Sequence, residues 1–167
     1  MADKVSSRSQ LNLVGTAGEY FVCAELCRIG FLALLTPKNN PLFDVVVTSD
    51  DGRISVPIQV KTRSIHNKRG WKLGAKFCEV DFPSNMLVAL VNLTDTAAPD
   101  FYIYRYSELA ERVNTVYKNY MNVPKRDGTQ RKEVAFRWFD EVNFTDVDRA
   151  RKNNWTPVLE ALQSSHE

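Results

Sequence analysis

The sequence predicts a mixed α/β domain, and three observations carry that prediction. A helical stripe of small and apolar residues near the N-terminus stops at Gly30. Two β-branched segments, 43–48 and 54–61, flank Ser49-Asp50-Asp51-Gly52, in which Asp-Gly is a strong hairpin signal. The nearly continuous apolar run 86–93 has the pattern of a strand buried on both faces.

The elements follow in order. Residues from about 12 to 29 should be helical, capped by Ser9 or Asn12, with Val14, Ala17, Phe21, Ala24 and Leu26 at helical spacing. Phe31 to Leu35 reads as a short strand, and residues 43–61 as a hairpin. The stretch 62–85 has no clear period; Trp71, Leu73, Phe77 and Val80 are its candidate anchors. Phe101 to Tyr104 is another short strand. Ser107 should cap a helix whose inner face is Leu109, Val113, Val116, Tyr117 and Tyr120. Val134 to Phe139 is ambiguous, while Thr145 and Thr156-Pro157 look like the starts of two closing helices. Residues 1–167 are expected to form one domain, with a core at about 10–104 and a C-terminal helical extension at about 105–165.

Composition narrows the class. Hydrophobic residues at 44% and charged residues at 25% are ordinary for a globular protein. No run approaches the roughly 18 apolar residues of a membrane span, and Met1-Ala2-Asp3-Lys4 leads into polar residues rather than a signal core. Three cysteines, an odd count, argue against a disulfide framework and for a reducing cytoplasm. Cys23 and Cys27, with Cys78 and His66 elsewhere, read as core cysteines rather than a zinc site. A net charge of +2 is too mild to announce a nucleic-acid partner, so the distribution of charge must carry that argument.

The chemistry concentrates at the hairpin. Alternation puts Ile54, Val56, Ile58 and Val60 on one face of the returning strand and Gln59 and Lys61 side by side on the other. The turn at Asp51-Gly52 brings Asp44 near their level. On the first helix, Glu19 lies among Gly15, Gly18, Val22 and Leu26, a face that should be covered. A covered carboxylate costs several kcal/mol unless a cation or donors pair with it. Phosphodiester cleavage needs a nucleophilic water and neutralised phosphate charge, and a hard cation with oxygen ligands serves both needs. Asp44 would be the principal anionic ligand of Mg²⁺ (or Mn²⁺), Gln59 would offer its amide oxygen, and Glu19 a second carboxylate. Lys61 would orient or help deprotonate the water and hold a phosphate oxygen.

Gly15-Thr-Ala-Gly-Glu19, Phe43-Asp44 and Ile58-Gln59-Val60-Lys61 together resemble the PD-(D/E)XK, or restriction-endonuclease-like, nuclease superfamily. Their order is also similar to that of archaeal Holliday-junction resolvases and transposase nuclease subunits. The resemblance spans roughly residues 10 to 93 and implies a mixed central sheet flanked by helices. It implies that Glu19, Asp44, Gln59 and Lys61 are catalytic, and that DNA is hydrolysed with Mg²⁺ to leave a 5′-phosphate. Two departures stand out: Phe43 precedes Asp44 where proline is usual, and Gln59 replaces the usual acid. A homodimer is expected by analogy, since cutting two strands takes two sites.

The segment from Lys61 to Lys72 is basic, with hydroxyls and an aromatic interleaved; Arg63, His66, Lys68, Arg69 and Lys72 would track phosphates beside the site. Arg126, Arg131 and Lys132 could extend that footprint. Two other readings remain. One is a catalytically inactive DNA-binding module that keeps the fold and has lost chemistry through Gln59; the other is a protein-interaction module.

Overall fold

A computed structural model describes residues 7–38, 40–79, 82–94 and 98–163. Helix α1 (Ser7–Arg28) is followed by strands β1 (Leu32–Leu35), β2 (Val45–Thr48), β3 (Ser55–Arg63) and β4 (Trp71–Gly74). A short 3-10 helix (Ala75–Cys78) leads to β5 (Leu87–Asn92), β6 (Asp100–Arg105) and helix α2 (Tyr106–Asn122). The chain closes with β7 (Phe136–Phe139), α3 (Asp146–Arg149) and α4 (Thr156–Gln163). The principal sheet runs β1-β2-β3-β5-β6, with β3–β5 parallel and the other pairs antiparallel, and β4–β7 form a separate two-stranded ribbon.

Both faces of the sheet are covered. Val22 and Leu26 of α1 and Val158, Ala161 and Leu162 of α4 pack on Val45, Val56, Ile58, Val60, Leu87 and Ile103. The ribbon and α2 cover the opposite face, where Trp71, Leu73, Leu109, Val113 and Phe139 meet Val88, Leu90, Tyr102 and Tyr104. Burial on both faces is why the 86–93 run lacks alternation.

The hairpin forms as expected. Val45 pairs with Ile58 and Thr48 with Ser55, and Gly52, at φ 70°, donates its N–H to the carbonyl of Ser49. Pro57 fits because the β3–β5 ladder begins only at Ile58↔Leu87, so its missing N–H interrupts no rung there. Gly30, at φ 100°, ends α1 as expected, with the Phe31 N–H donating to the Leu26 carbonyl.

Several expectations are corrected. Ser9 and Asn12 lie inside α1, which begins at Ser7; its packing on the sheet sustains the helix through residues that favour caps. The covered side of α1 is Gly18, Val22 and Leu26, whereas Phe21 is 44% exposed and Ala24 is also outside. Cys23 is half-buried and Cys27 exposed on that helix, so they are not a core pair. Arg105, not Ser107, precedes α2, because β6 runs straight into the helix and Glu108 accepts the Arg105 N–H. Tyr120 is solvent-facing beneath the Arg131 guanidinium. The stretch expected to be a helical extension also contains β7, whose residues 136–139 complete the ribbon with β4. Trp71, Leu73 and Phe77 are buried anchors, and Val80 lies outside the described residues.

Candidate active site

Asp44 stands one residue before β2 and is held at both ends of its backbone. Its N–H donates to the Ile58 carbonyl at 3.0 Å, and its carbonyl accepts the Thr36 N–H at 3.0 Å and the Thr36 hydroxyl at 3.2 Å. Its carboxylate reaches across to β3, where Oδ2 accepts the backbone N–H of Val60 at 2.7 Å. Val60 separates Gln59 from Lys61, so this one hydrogen bond fixes the acid at the level of both side chains.

Gln59 and Lys61 are on the face of β3 opposite buried Val56, Ile58 and Val60. The amide oxygen of Gln59 is buried without a hydrogen-bond partner among the described residues. An orphaned buried acceptor costs about 1–3 kcal/mol, which a cation or an incoming donor would relieve. Burial holds the Lys61 ammonium below its ordinary range, opposed by attraction to Asp44 and then Glu19.

Glu19 comes from α1. Burial, then repulsion from Asp44, raises its carboxyl above the usual range, while Lys38 and Lys61 pull it down. These couplings bring three of the four expected site residues, Glu19, Asp44 and Lys61, into one electrostatic group. They also add Lys38, an exposed cation in the β1–β2 connection that sequence periodicity could not single out. Its only sequence signal is position, since the chain leaving β1 must return past α1 to reach Asp44. The seat of α1 depends on Gly18: a Cβ there would lie 1.8 Å from the Thr62 hydroxyl of β3. Gly15 faces open space, so close approach requires only one of the two glycines.

Two carboxylates and an amide oxygen are hard donors that suit Mg²⁺ or Mn²⁺. Among the described residues no three His, Cys, Asp or Glu side chains gather into a metal-binding group, so the amide of Gln59 is the third oxygen available.

The basic segment divides. His66, Lys68, Arg69 and Lys72 are exposed. Arg63 is not: its side chain is 10% exposed, donates to Asn92 at 2.7 Å and Glu141 at 2.6 Å, and lies 4.5 Å over the Trp71 ring. Arg63 shares its face of β3 with Gln59 and Lys61, and its contacts tie the sheet to Glu141. Trp71 is likewise interior, its indole N–H donating to the Val91 carbonyl at 2.9 Å.

The architecture is a mixed sheet flanked by helices, a fold shared with a solved endonuclease. Among solved structures the chain is similar to a bacterial homing endonuclease, with 12% identity, 93% of this chain and 97% of that one covered, and a TM-score of 0.55. It is also similar to Hjc, a Holliday junction resolvase of the archaeal hyperthermophile Archaeoglobus fulgidus, with 16% identity, 78% and 86% covered, and a TM-score of 0.42. No family model and no curated protein matches the chain. Among the described residues no helix is long and apolar enough to cross a membrane.

Proposed function

We propose that this chain is a Mg²⁺-dependent DNA endonuclease (Mn²⁺ serving in its place) that hydrolyses phosphodiester bonds. The observation that carries the reading is the Asp44–Val60 hydrogen bond, which holds a carboxylate between an orphaned amide oxygen and a desolvated lysine. Glu19, Asp44 and Gln59 would hold the cation, which when bound neutralises phosphate charge and acidifies water. Lys61 in its neutral form accepts the proton of the attacking water at Nζ; in its charged form it holds a phosphate oxygen. The water oxygen bonds to phosphorus as the P–O3′ bond breaks, and a solvent water gives its proton to the departing O3′, leaving a 3′-hydroxyl and a 5′-phosphate. His66, Lys68, Arg69 and Lys72 are the exposed groups that would hold DNA. The free cysteines Cys23, Cys27 and Cys78 fit a reducing cytoplasm, and cutting both strands of a duplex fits a homodimer.

The test is cleavage of plasmid, linear and branched DNA by purified protein with Mg²⁺ or Mn²⁺, alongside Asp44→Ala and Lys61→Ala. The reading requires that the wild type cut and that both folded variants lose cutting. A second reading, an inactive DNA-binding module, is favoured by one observation, the amide at Gln59 where an acid would give the site a third negative charge. That protein would bind DNA and leave it intact with either metal.

A further inference from the structure

The β4–β7 ribbon has an inner face and an outer face of different chemistry. Trp71, Leu73 and Phe139 face inward and belong to the core. On the other face Lys72 is exposed and Phe136 and Trp138 are half-buried; the Lys72 ammonium lies 4.4 Å over the Phe136 ring, which meets the Trp138 ring edge-on at 6.1 Å. Register runs from Trp71↔Phe139 to Gly74↔Phe136. The connection 64–70 therefore enters at one end of the ribbon and the connection 123–135 at the other.

Charge is concentrated on this unit. Residues 65–76 contain four cations and no acid, and residues 123–138 contain five cations and two acids. These segments carry +7 in a chain whose net charge is +2, so the remainder carries −5. The two acids are engaged internally, Asp127 with Thr129 and Glu133 with Arg137. Lys68, Arg69, Lys76, Lys125, Arg126 and Lys132 are exposed and form no salt bridge among the described residues.

We propose that this ribbon is the duplex-docking element of the protein, seated across the major groove of DNA with its two basic connections on the phosphates of the two flanking strands. Four residue pairs span about 10 Å at roughly 3.3 Å per residue, and the major groove, about 12 Å wide, admits a two-stranded ribbon. Lys72 is then placed over base edges, and Phe136 and Trp138 offer apolar surface for thymine methyl groups. The near end starts three residues beyond Lys61, beside the candidate active site, and the far end carries Arg126 and Lys132 along the duplex. The inference rests on the nuclease reading only for its choice of duplex DNA.

The experiment is metal-free binding of a short DNA duplex across a salt series. It compares the wild type, the triple variant Lys68→Gln/Lys72→Gln/Lys132→Gln, and Arg53→Gln, which removes an exposed cation at the distant β2–β3 turn. The triple variant should bind about tenfold or more weakly, with a log–log salt slope shallower by about 0.9 for each lost phosphate contact, and Arg53→Gln should match the wild type. Guanine N7, which lies in the major groove, should be protected from methylation by the wild type and not by the triple variant. Wild-type affinity and slope in the triple variant, unprotected N7, absence of wild-type binding at low salt, or equal competition by duplex RNA, whose major groove is too deep and narrow to admit a ribbon, would each overturn the proposal. Cleavage is scored separately. A wild type that binds through the ribbon but cuts nothing with Mg²⁺ refutes the nuclease reading alone.

Discussion

Asp44 and Val60 are joined by a carboxylate–amide hydrogen bond of 2.7 Å that spans β2 and β3 at the point where Gln59 and Lys61 project. The same acid thus has a structural duty and a proposed chemical one, and substitutions can separate them. Asp44→Asn keeps an oxygen for the Val60 N–H and removes the charge; Asp44→Ala removes both. Cleavage should fall about a thousandfold in each, the several kcal/mol of a lost metal ligand at 1.36 kcal/mol per decade. Stability should fall only in Asp44→Ala, by about 1–3 kcal/mol for the orphaned amide, as read by urea denaturation. Equal stability of the two variants would remove the structural role.

Lys61 is held below its ordinary range chiefly by burial, so folding disfavours its ammonium. The sign follows: the penalty is fully present below the depressed folded value and fades as pH rises toward the ordinary lysine value. Lys61→Met, which keeps the stem and removes the charge, should melt higher than the wild type at neutral pH, with a gap that narrows on alkalinisation. Its cleavage should drop about 10²- to 10⁴-fold. A variant that melts lower at neutral pH contradicts the burial account.

Gln59→Glu tests the amide. A third carboxylate beside Glu19 and Asp44 should lower the melting temperature in EDTA, since Glu19 already titrates high from burial and the neighbouring Asp44. Mg²⁺ should reverse that loss and bind about tenfold or more tightly than to the wild type, because affinity follows ligand charge count. Unchanged metal affinity by titration calorimetry would take Gln59 out of the ligand set.

Gly18→Ala would drive a methyl into the Thr62 hydroxyl, 1.8 Å from its ideal position. Overpacking of this kind costs about 1–3 kcal/mol, and by shifting α1 it should reduce cleavage through Glu19. Wild-type thermal stability would show that α1 has room to move away from β3.

Local signals explain what was legible in the sequence. The Asp-Gly turn and the parity of β3 set the register that brings Asp44 to Gln59 and Lys61, and the doubly covered β5 announced itself as an unbroken apolar run. Of the two glycines beside Glu19, only Gly18 meets a close approach that demands a residue without Cβ. What failed was long-range. The β4–β7 pairing joins residues more than 60 positions apart, and neither segment of four residues has a period strong enough to reveal it. Lys38 reaches the site only through the path of a connection. Arg63 carried the same compositional signal as Lys68 and Arg69, and only the fold distinguishes a cation facing the core from its exposed neighbours.

That distinction is measurable. The Arg63 guanidinium stacks on Trp71, donates to Asn92 and Glu141, and stands 3.7 Å from Asp140; Tyr102 donates to the other Glu141 oxygen at 2.8 Å. Burial, and then Glu141, hold the Tyr102 hydroxyl above its ordinary range. Removing Arg63 leaves Glu141 half-neutralised and Asn92 without its donor, at a cost of about 2–4 kcal/mol. Arg69 is exposed, so Arg69→Ala should change stability by less than about 0.5 kcal/mol. Arg63→Ala should therefore melt early and, below its transition, bind DNA like the wild type, whereas Arg69→Ala should melt like the wild type and bind DNA more weakly. The reverse pattern, a stable Arg63→Ala with weakened DNA binding, would return Arg63 to the phosphate-tracking edge that its place in the basic segment predicts.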